Sequence, residues 1–157
     1  MRDEMMKLNL RHLKISRKVA DVQSDEIIKR LLVQDVKCLV RLYVVSAYGL
    51  AQRDNDSDSD PFTIVKLGDK KTYNDRENYK DNEPNPDIYK EFNFEAIFPG
   101  CPEILVQLWD MDMLFGDELI GETRVDLEDR YFSADWRSIV HKPIEHRQLY
   151  HPSSSVS

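Results

Sequence analysis

Five short runs of β-forming residues, separated by clusters of turn-forming residues, limit most strongly the folds open to this chain. They lie at residues 38–50, 62–67, 89–98, 104–109 and 119–125. In the third and fourth runs, every second residue is apolar, at Phe92, Phe94, Ala96, Phe98, Ile104, Val106 and Leu108. Because successive side chains of a strand point to opposite faces, this period of two predicts that all of them enter one core. Several strands with one late helical pattern, over 127–136, predict an antiparallel β-sandwich.

The chain of 157 residues is long enough for one domain with a full hydrophobic core. Residues 1–37 mix charges with scattered aliphatics, and a capped amphipathic pattern begins at Ser24, so this segment is predicted to be a partly helical extension. Residues 38–150 are predicted to form the domain, and the Ser-rich residues 151–157 a disordered tail. The polar stretch 72–87, with two prolines, is predicted to be a long loop.

Charge and motif content exclude several classes of function. With 29 acidic against 22 basic residues, the net charge of −7 argues against nucleic acid as a partner. We find no nucleophile paired with a base, no Gly-rich phosphate loop and no paired general acid and base, which predicts a non-enzymatic protein. The two cysteines form neither a redox pair nor a zinc motif, which favours a reducing cytosol. No apolar stretch approaches the roughly 18 residues that span a bilayer, so the chain is predicted to be soluble.

Two acidic clusters each follow a predicted strand, at residues 54–60 and 110–118. If both lie at one end of the sandwich, carboxylates about 4 Å apart repel by roughly 4 kcal/mol at an effective dielectric near 20, so a cation is needed between them. Many flexible oxygen ligands favour calcium. Asp110 and Asp112 would face such an ion from one side of an extended segment, while Met111 offers its carbonyl. Solvated acidic turns remain the alternative; an EF-hand is disfavoured because Ser59 stands where its loop needs glycine.

An ordered set of motifs resembles a C2 domain. They are Tyr48-Gly49-Leu50, an Asp six residues before Asp60, Ser59-Asp60-Pro61-Phe62, Asn85-Pro86, Trp109-Asp110-Met111-Asp112 and Leu119-Ile120-Gly121-Glu122. The resemblance implies an eight-stranded antiparallel Greek-key β-sandwich whose loops bind calcium and dock on anionic phospholipid membranes.

Within C2 domains, the chain most resembles the ferlin family. The ferlin-like details are residues 75–79, 92–99 and 120–133, followed by Trp136-Arg137 and Gln148-Leu149. The resemblance covers residues 38–150 and implies a role in membrane fusion, repair or vesicle trafficking. It also implies a membrane-anchored whole protein on the cytosolic face of plasma or vesicle membranes, SNARE or other trafficking proteins as partners, and an isolated domain that is monomeric.

The family's calcium ligands carry over residue by residue. They fall on Asp54 and Asp60 in the first cluster and on Asp110 and Asp112 in the second, with carbonyls at Asn55 and Met111. The fifth carboxylate of the family falls on Glu118, a departure from Asp, while Asp117 lies one residue out of register. Which of these two completes the site stays open.

The apolar triplet Met113, Leu114 and Phe115 stands between the ligands of the second cluster. We predict that it inserts into the bilayer interface; the alternative is that it tucks back onto the sandwich. A basic groove for phosphoinositides is a weaker possibility, at Lys66, Lys70, Lys71 and Lys90. Two rival functions are a calcium-independent C2 domain for protein–protein or intramolecular contacts, favoured by Glu118, and a metal-dependent hydrolase, for which no water-activating base is evident.

Overall fold

A computed structural model describes residues 34–50, 59–69 and 71–155. The predicted helix after Ser24 lies outside the described residues, as do Asp54 and Asn55. The elements are strands β1 (Val36–Ser46), β2 (Pro61–Leu67), β3 (Lys71–Asn74), β4 (Asp87–Phe98), β5 (Ile104–Asp110) and β6 (Glu118–Val125), helices α1 (Leu127–Phe132) and α2 (Ala134–Ser138), and two 3-10 helices at Arg76–Asn78 and Pro152–Ser155.

Two sheets form a β-sandwich, which confirms the predicted fold class. One sheet pairs β1 with β4, and the other has the order β3-β2-β5-β6 with antiparallel neighbours. All five predicted runs contain a strand, although the first strand ends at Ser46 and not at residue 50. The eight-stranded count is wrong for the described part of the chain, which has six strands. Beyond the two helices, the chain pairs with β6 only at Tyr150, whose N–H and C=O bond to Glu122, because the rest of that segment follows no strand pattern.

The main core lies between the two sheets. Phe92, Phe94, Ala96 and Phe98 from β4 are buried against side chains of β2, β5 and β6, and alternate residues of β1 pack on the same cluster. The period of two in the sequence therefore predicts the core face of β4 correctly. A second, smaller cluster joins Leu50, Leu108 and Ile120 below one end of the larger sheet.

The prediction that residues 72–87 form one long loop is wrong at its beginning. Residues Lys71–Asn74 form β3, which pairs with β2 along its whole length. Tyr73 explains why a polar stretch becomes a strand. Its ring lies 5.1 Å from that of Phe94 and 5.7 Å from that of Phe92, so this strand is held by distant aromatic contacts rather than by local propensity.

The predicted helix over 127–136 is present but divided into α1 and α2. Asp126 caps α1 by accepting hydrogen bonds from the N–H groups of Glu128 and Asp129. Ser133 interrupts the pattern because its side chain accepts the Trp136 N–H and caps α2. In the segment predicted as a disordered tail, Pro152–Ser155 form a 3-10 helix, with the His151 ring accepting the Ser153 N–H. The division into a 1–37 extension and a 38–150 domain stays a prediction.

No helix among the described residues is both long and apolar enough to cross a membrane.

Glu145 joins the irregular C-terminal segment to α1, and its titration gives a testable pH effect. Its carboxylate lies 2.6 Å from Arg130 Nη2 and 3.1 Å from Arg147 Nη1. The hydrogen bond from Arg130, above all, lowers the pKa of Glu145 below its ordinary value. When the pKa of a carboxyl is lower in the folded chain than in the unfolded chain, its ionised form stabilises the fold. This stabilisation is fully present above the unfolded pKa, about 4.3, and is lost as the pH falls through the lower pKa of the folded chain.

We therefore expect Glu145→Gln to lower the free energy of unfolding by about 0.5–1 kcal/mol at pH 7. The difference from the parent chain should shrink as the pH falls below about 4.3, in urea unfolding curves recorded across that range. Glu95→Gln, at an exposed position of β4, is the matched control and should change little at either pH. A difference in free energy of unfolding between Glu145→Gln and the parent chain that stays constant from pH 7 downward would contradict the ion pairing of Glu145 with Arg130 and Arg147.

Candidate functional site

One end of the four-stranded sheet carries the acidic residues predicted to form the site. Since neighbouring strands are antiparallel, the start of β2, the end of β5 and the start of β6 lie together there. Asp60 directly precedes β2, Asp110 is the last residue of β5 and Glu118 is the first of β6. Asp110 pairs in register with Pro61 on one side and with Glu118 on the other. The fold thus places Asp60 of the first acidic cluster beside the second cluster.

A β-bulge decides which residue of β6 faces Asp110. β6 carries one extra residue, Ile120, within its pairing with β5, and this residue is buried. A bulge shifts the register by one residue beyond it. Without the bulge Leu119 would stand opposite Asp110; with it, that partner is Glu118. No pattern in the sequence marks this shift.

The second loop (residues 75–86) and the third loop (111–117) meet at this end of the sheet, together with Ser59 and Asp60, the described residues of the first loop (51–60). Asp60 connects them. Its N–H donates to Asp110 Oδ1 at 2.7 Å, and its carbonyl accepts the Met111 N–H at 3.0 Å. Its carboxylate accepts the Asn82 N–H at 2.6 Å. Asp110 is itself buried, with 6% of its surface exposed, so a charged oxygen lies in a weakly hydrated position where a positive partner stabilises it.

The third loop presents its apolar triplet to solvent. Met113, Leu114 and Phe115 are 79%, 84% and 91% exposed. The carboxylate of Asp112 shapes the loop, since its Oδ1 accepts the N–H groups of Leu114 and Phe115 at 2.6 and 3.1 Å. Gly116 follows with a φ of +95°, which an L side chain rarely adopts. In this structure the triplet therefore does not tuck back onto the sandwich.

Arg76, at the start of the second loop, reaches across to the third. Its Nε lies 2.7 Å from Asp117 Oδ2 and its Nη2 lies 2.9 Å from Asp117 Oδ1, a bidentate ion pair. The same Nη2 donates to the carbonyl of Asp112 at 3.3 Å. Asp117 also accepts the Asp112 N–H at 3.1 Å. The sequence did not predict this role for Arg76, because a single arginine near several acidic residues does not indicate with which carboxylate it forms an ion pair.

This contact changes the electrostatics of both partners. The hydrogen bond from Arg76, together with a weaker one from the Asp112 N–H, lowers the pKa of Asp117 below the ordinary value of an aspartate. The same hydrogen bond raises the pKa of Arg76. The pair stays charged on both sides at neutral pH, and one carboxylate of the site is already neutralised by the protein itself.

The ligand atoms available at this end of the sheet are of the chemical type that calcium prefers. They are carboxylate oxygens and the Met111 carbonyl, without nitrogen or sulfur, as a hard cation requires. Their present orientation is different: across residues 34–50, 59–69 and 71–155, no three acidic, His or Cys side chains converge to hold an ion. Asp112 turns towards its own loop and Asp117 towards Arg76. Asp54 and Asn55 lie outside the described residues, so the predicted ligand set stays a prediction.

A shallow cleft lies beside Arg76, with a volume of about 420 Å³. It is lined by Asn74, Arg76, Glu77, Tyr79, Met111 and Met113. None of these residues belongs to either buried cluster. The cleft therefore provides open space beside the Arg76 side chain.

The alternative basic groove receives little support from the lysines that are described. Lys90 Nζ pairs with Asp75 at 2.9 Å. Lys71 Nζ donates to the carbonyl of Asn93 at 3.2 Å and lies 4.6 Å from the ring centre of Tyr73. Lys70 lies outside the described residues. Two of the four predicted lysines are thus engaged within the domain.

Comparison with known proteins agrees with this fold. A sequence model described as "C2 domain" matches residues 38–142. Fer-1-like protein 4 of Mus musculus is 37% identical over 98 residues, and myoferlin of Xenopus tropicalis is 34% identical over 97 residues. Each match covers 62% of this chain and 5% of the relative. Among solved structures, a C2 domain of plant Extended Synaptotagmin 1 has a TM-score of 0.53 at 25% identity, covering 58% of this chain and 70% of that one.

The chain belongs to the C2 domain family. Within it, the predicted resemblance to the C2 domains of ferlins is confirmed by these two relatives. The chain spans only a twentieth of the length of those proteins, as the 5% coverage states. What the whole relatives do therefore bears on this chain only as a proposal.

Proposed function

We propose that this domain binds anionic phospholipid membranes in a calcium-dependent manner, as one module of a longer ferlin-like protein that acts in membrane fusion, repair or vesicle trafficking. The observation that carries the proposal is the third loop. It has three side chains at its tip that are 79–91% exposed, while Asp112 and Asp117 lie near its two ends and Asp110 directly precedes it at the end of β5. An apolar tip above an acidic base suits docking on a membrane once the base is neutralised.

Charge supplies the switch in this proposal. Without a cation, the acidic end of the sheet repels an anionic leaflet. Bound calcium supplies positive charge there, and each charge near an anionic surface is worth about 1 kcal/mol. The ligands would be Asp54, Asp60, Asp110 and Asp112, the carbonyls of Asn55 and Met111, and either Asp117 or Glu118. Among the described residues, Asp60 and Asp110 lie at strand ends, and hydrogen bonds that join Asp60 to Asp110 and Met111 fix the base of the third loop that carries Asp112.

The remaining parts of the proposal follow from the ferlin resemblance. They are a position on the cytosolic face of plasma or vesicle membranes, SNARE or other trafficking proteins as partners, a monomeric isolated domain, and no enzymatic activity. Nucleic acid is not proposed as a partner, because the net charge of −7 opposes it.

Liposome co-sedimentation of this chain with and without calcium tests the proposal. We expect sedimentation with vesicles that contain phosphatidylserine, and not with neutral vesicles, only when calcium is present. Asp112→Asn should raise the calcium concentration for half-maximal binding by about tenfold, because it removes one anionic ligand from a site that depends on ligand charge. The amide keeps the oxygen that accepts the Leu114 and Phe115 N–H groups, so the shape of the loop is retained.

Asp69→Asn is the matched control. It makes the same change of charge just beyond the opposite end of β2, and should leave the calcium titration where it is. Binding to anionic vesicles that is insensitive both to calcium and to Asp112→Asn would reject the calcium switch.

A second candidate function is a calcium-independent C2 domain that contacts other proteins or other parts of its own chain. The Arg76–Asp117 ion pair favours it, since a guanidinium already neutralises part of the site and holds the third loop in shape. The same experiment separates the two candidates. A domain of this second kind would stay in the supernatant when anionic vesicles are sedimented, at every calcium concentration.

A further inference from the structure

We infer that Arg76 determines how much calcium this site requires, by occupying Asp117 as an internal cation that a metal ion must displace. The inference rests on the proposed function and adds a residue that specifies its calcium dependence. The resting site is then closed by a guanidinium rather than left as bare repelling carboxylates.

The geometry of the contact supports this role. The guanidinium binds both carboxylate oxygens of Asp117, at 2.7 and 2.9 Å, and also the Asp112 carbonyl, at 3.3 Å. It therefore bridges the two ends of the third loop, as a cation held between them would. Like that cation, it binds only oxygen atoms. The pair is only partly screened by water, since the Asp117 side chain is 23% exposed and that of Arg76 is 43% exposed.

The position of Asp117 makes the competition direct. Asp117 and Asp112 are joined by a hydrogen bond from the Asp112 N–H, so a group that holds one of them restrains the other. Asp112 is also one of the four aspartates carried over as ligands. A calcium ion that draws these two residues together must break or rearrange the contacts of Arg76.

The cleft beside Arg76 gives the displaced side chain a place to go. It has a volume of about 420 Å³, and Glu77 is one of the residues that line it. The guanidinium can thus leave Asp117 and stay near another carboxylate. Because Met113 lines the same cleft, the released charge would lie beside the apolar tip of the third loop.

Isothermal titration of calcium into the lipid-free chain tests the inference. We expect Arg76→Gln to lower the calcium concentration at half saturation by about three- to tenfold, because a charge-assisted bidentate pair no longer has to be broken. Arg76→Lys keeps the charge but not the bidentate geometry, and should shift the titration in the same direction by less. Arg124→Gln, which removes an exposed arginine paired with Glu122 on β6, is the matched control and should leave the titration unchanged.

The outcomes of this titration separate the inference from the proposed function. Calcium binding by Arg76→Gln but not by the parent chain would support the inference in its strongest form. Equal or weaker binding by Arg76→Gln, with the parent chain binding calcium, would overturn the inference and leave the proposed function intact. No binding by either chain would overturn both. Unfolding midpoints of each variant, measured without calcium, show whether the chains compared are folded. If Arg76→Gln does not fold, the calcium titration of Arg76→Lys tests the inference in its place.

Discussion

Replacing both Leu114 and Phe115 with alanine is expected to weaken calcium-dependent binding to anionic vesicles by roughly 30- to 1,000-fold at high salt. Both side chains stand free of the domain, at 84% and 91% exposed, so they contribute little to the stability of the fold. Burying a Leu or Phe side chain fully is worth about 1.5–3 kcal/mol, and partial insertion of two gives about 2–4 kcal/mol. This term does not depend on ionic strength, whereas the attraction between bound cations and lipid phosphates is screened.

Co-sedimentation at low and high salt, with calcium present throughout, measures the effect. The fold loss in affinity should be similar at both salt concentrations, but the fraction of chain bound should fall further at high salt, where the screened electrostatic term no longer holds the variant on the vesicles. Val140→Ala with Ile144→Ala is the matched control, because these residues are 86% and 68% exposed in the C-terminal segment, away from the third loop in sequence. Equal binding by the parent chain and the Leu114/Phe115 variant at high salt would refute insertion of the loop.

Phe94→Ala is expected to lower the free energy of unfolding by about 3–5 kcal/mol. Phe94 is completely buried in the main core, and its ring meets that of Tyr73 edge to face, with the centres 5.1 Å apart. Removing it leaves a cavity between the two sheets and also removes the aromatic contact that holds β3. A loss of this size is a large part of the stability of an ordinary domain.

Chemical unfolding followed by circular dichroism measures this change. Phe94→Leu preserves much of the volume and should cost clearly less than the alanine variant. Ile97→Ala, at a 44% exposed position of the same strand, should have only a small effect. A loss below about 1 kcal/mol for Phe94→Ala would contradict the placement of this residue in the core.

Much of the fold could be predicted from the sequence because its strands are encoded locally. The alternation of Phe92, Phe94, Ala96 and Phe98 identifies the buried face of β4 without knowledge of any partner strand. β3 escaped prediction because nothing within Lys71–Asn74 is apolar except one tyrosine. That segment becomes a strand through its pairing with β2 and the contacts of Tyr73 with β4. Stabilisation by residues far along the chain leaves no local pattern to read.

The candidate site, like the fold, was predicted from the sequence in part only. The positions of Asp60 and Asp110 at strand ends predicted that two separate acidic clusters come together, and antiparallel pairing places them side by side. The choice between Glu118 and Asp117 could not be read from the order of residues. The structure adds two facts that bear on this choice: the bulge at Ile120 sets Glu118 opposite Asp110, and Arg76 forms an ion pair with Asp117.

The sequence by itself determined the class of fold, the ferlin-like C2 motifs, the two acidic clusters and the apolar triplet between acidic residues. These features depend on residue type and spacing within a few positions of one another. Only the tertiary structure decided that the triplet stands exposed, that Glu118 faces Asp110 and that a guanidinium occupies Asp117. Those outcomes depend on the register between strands and on contacts across loops. They are settled when the chain packs, because one residue of shift or one rotated side chain changes which charges meet.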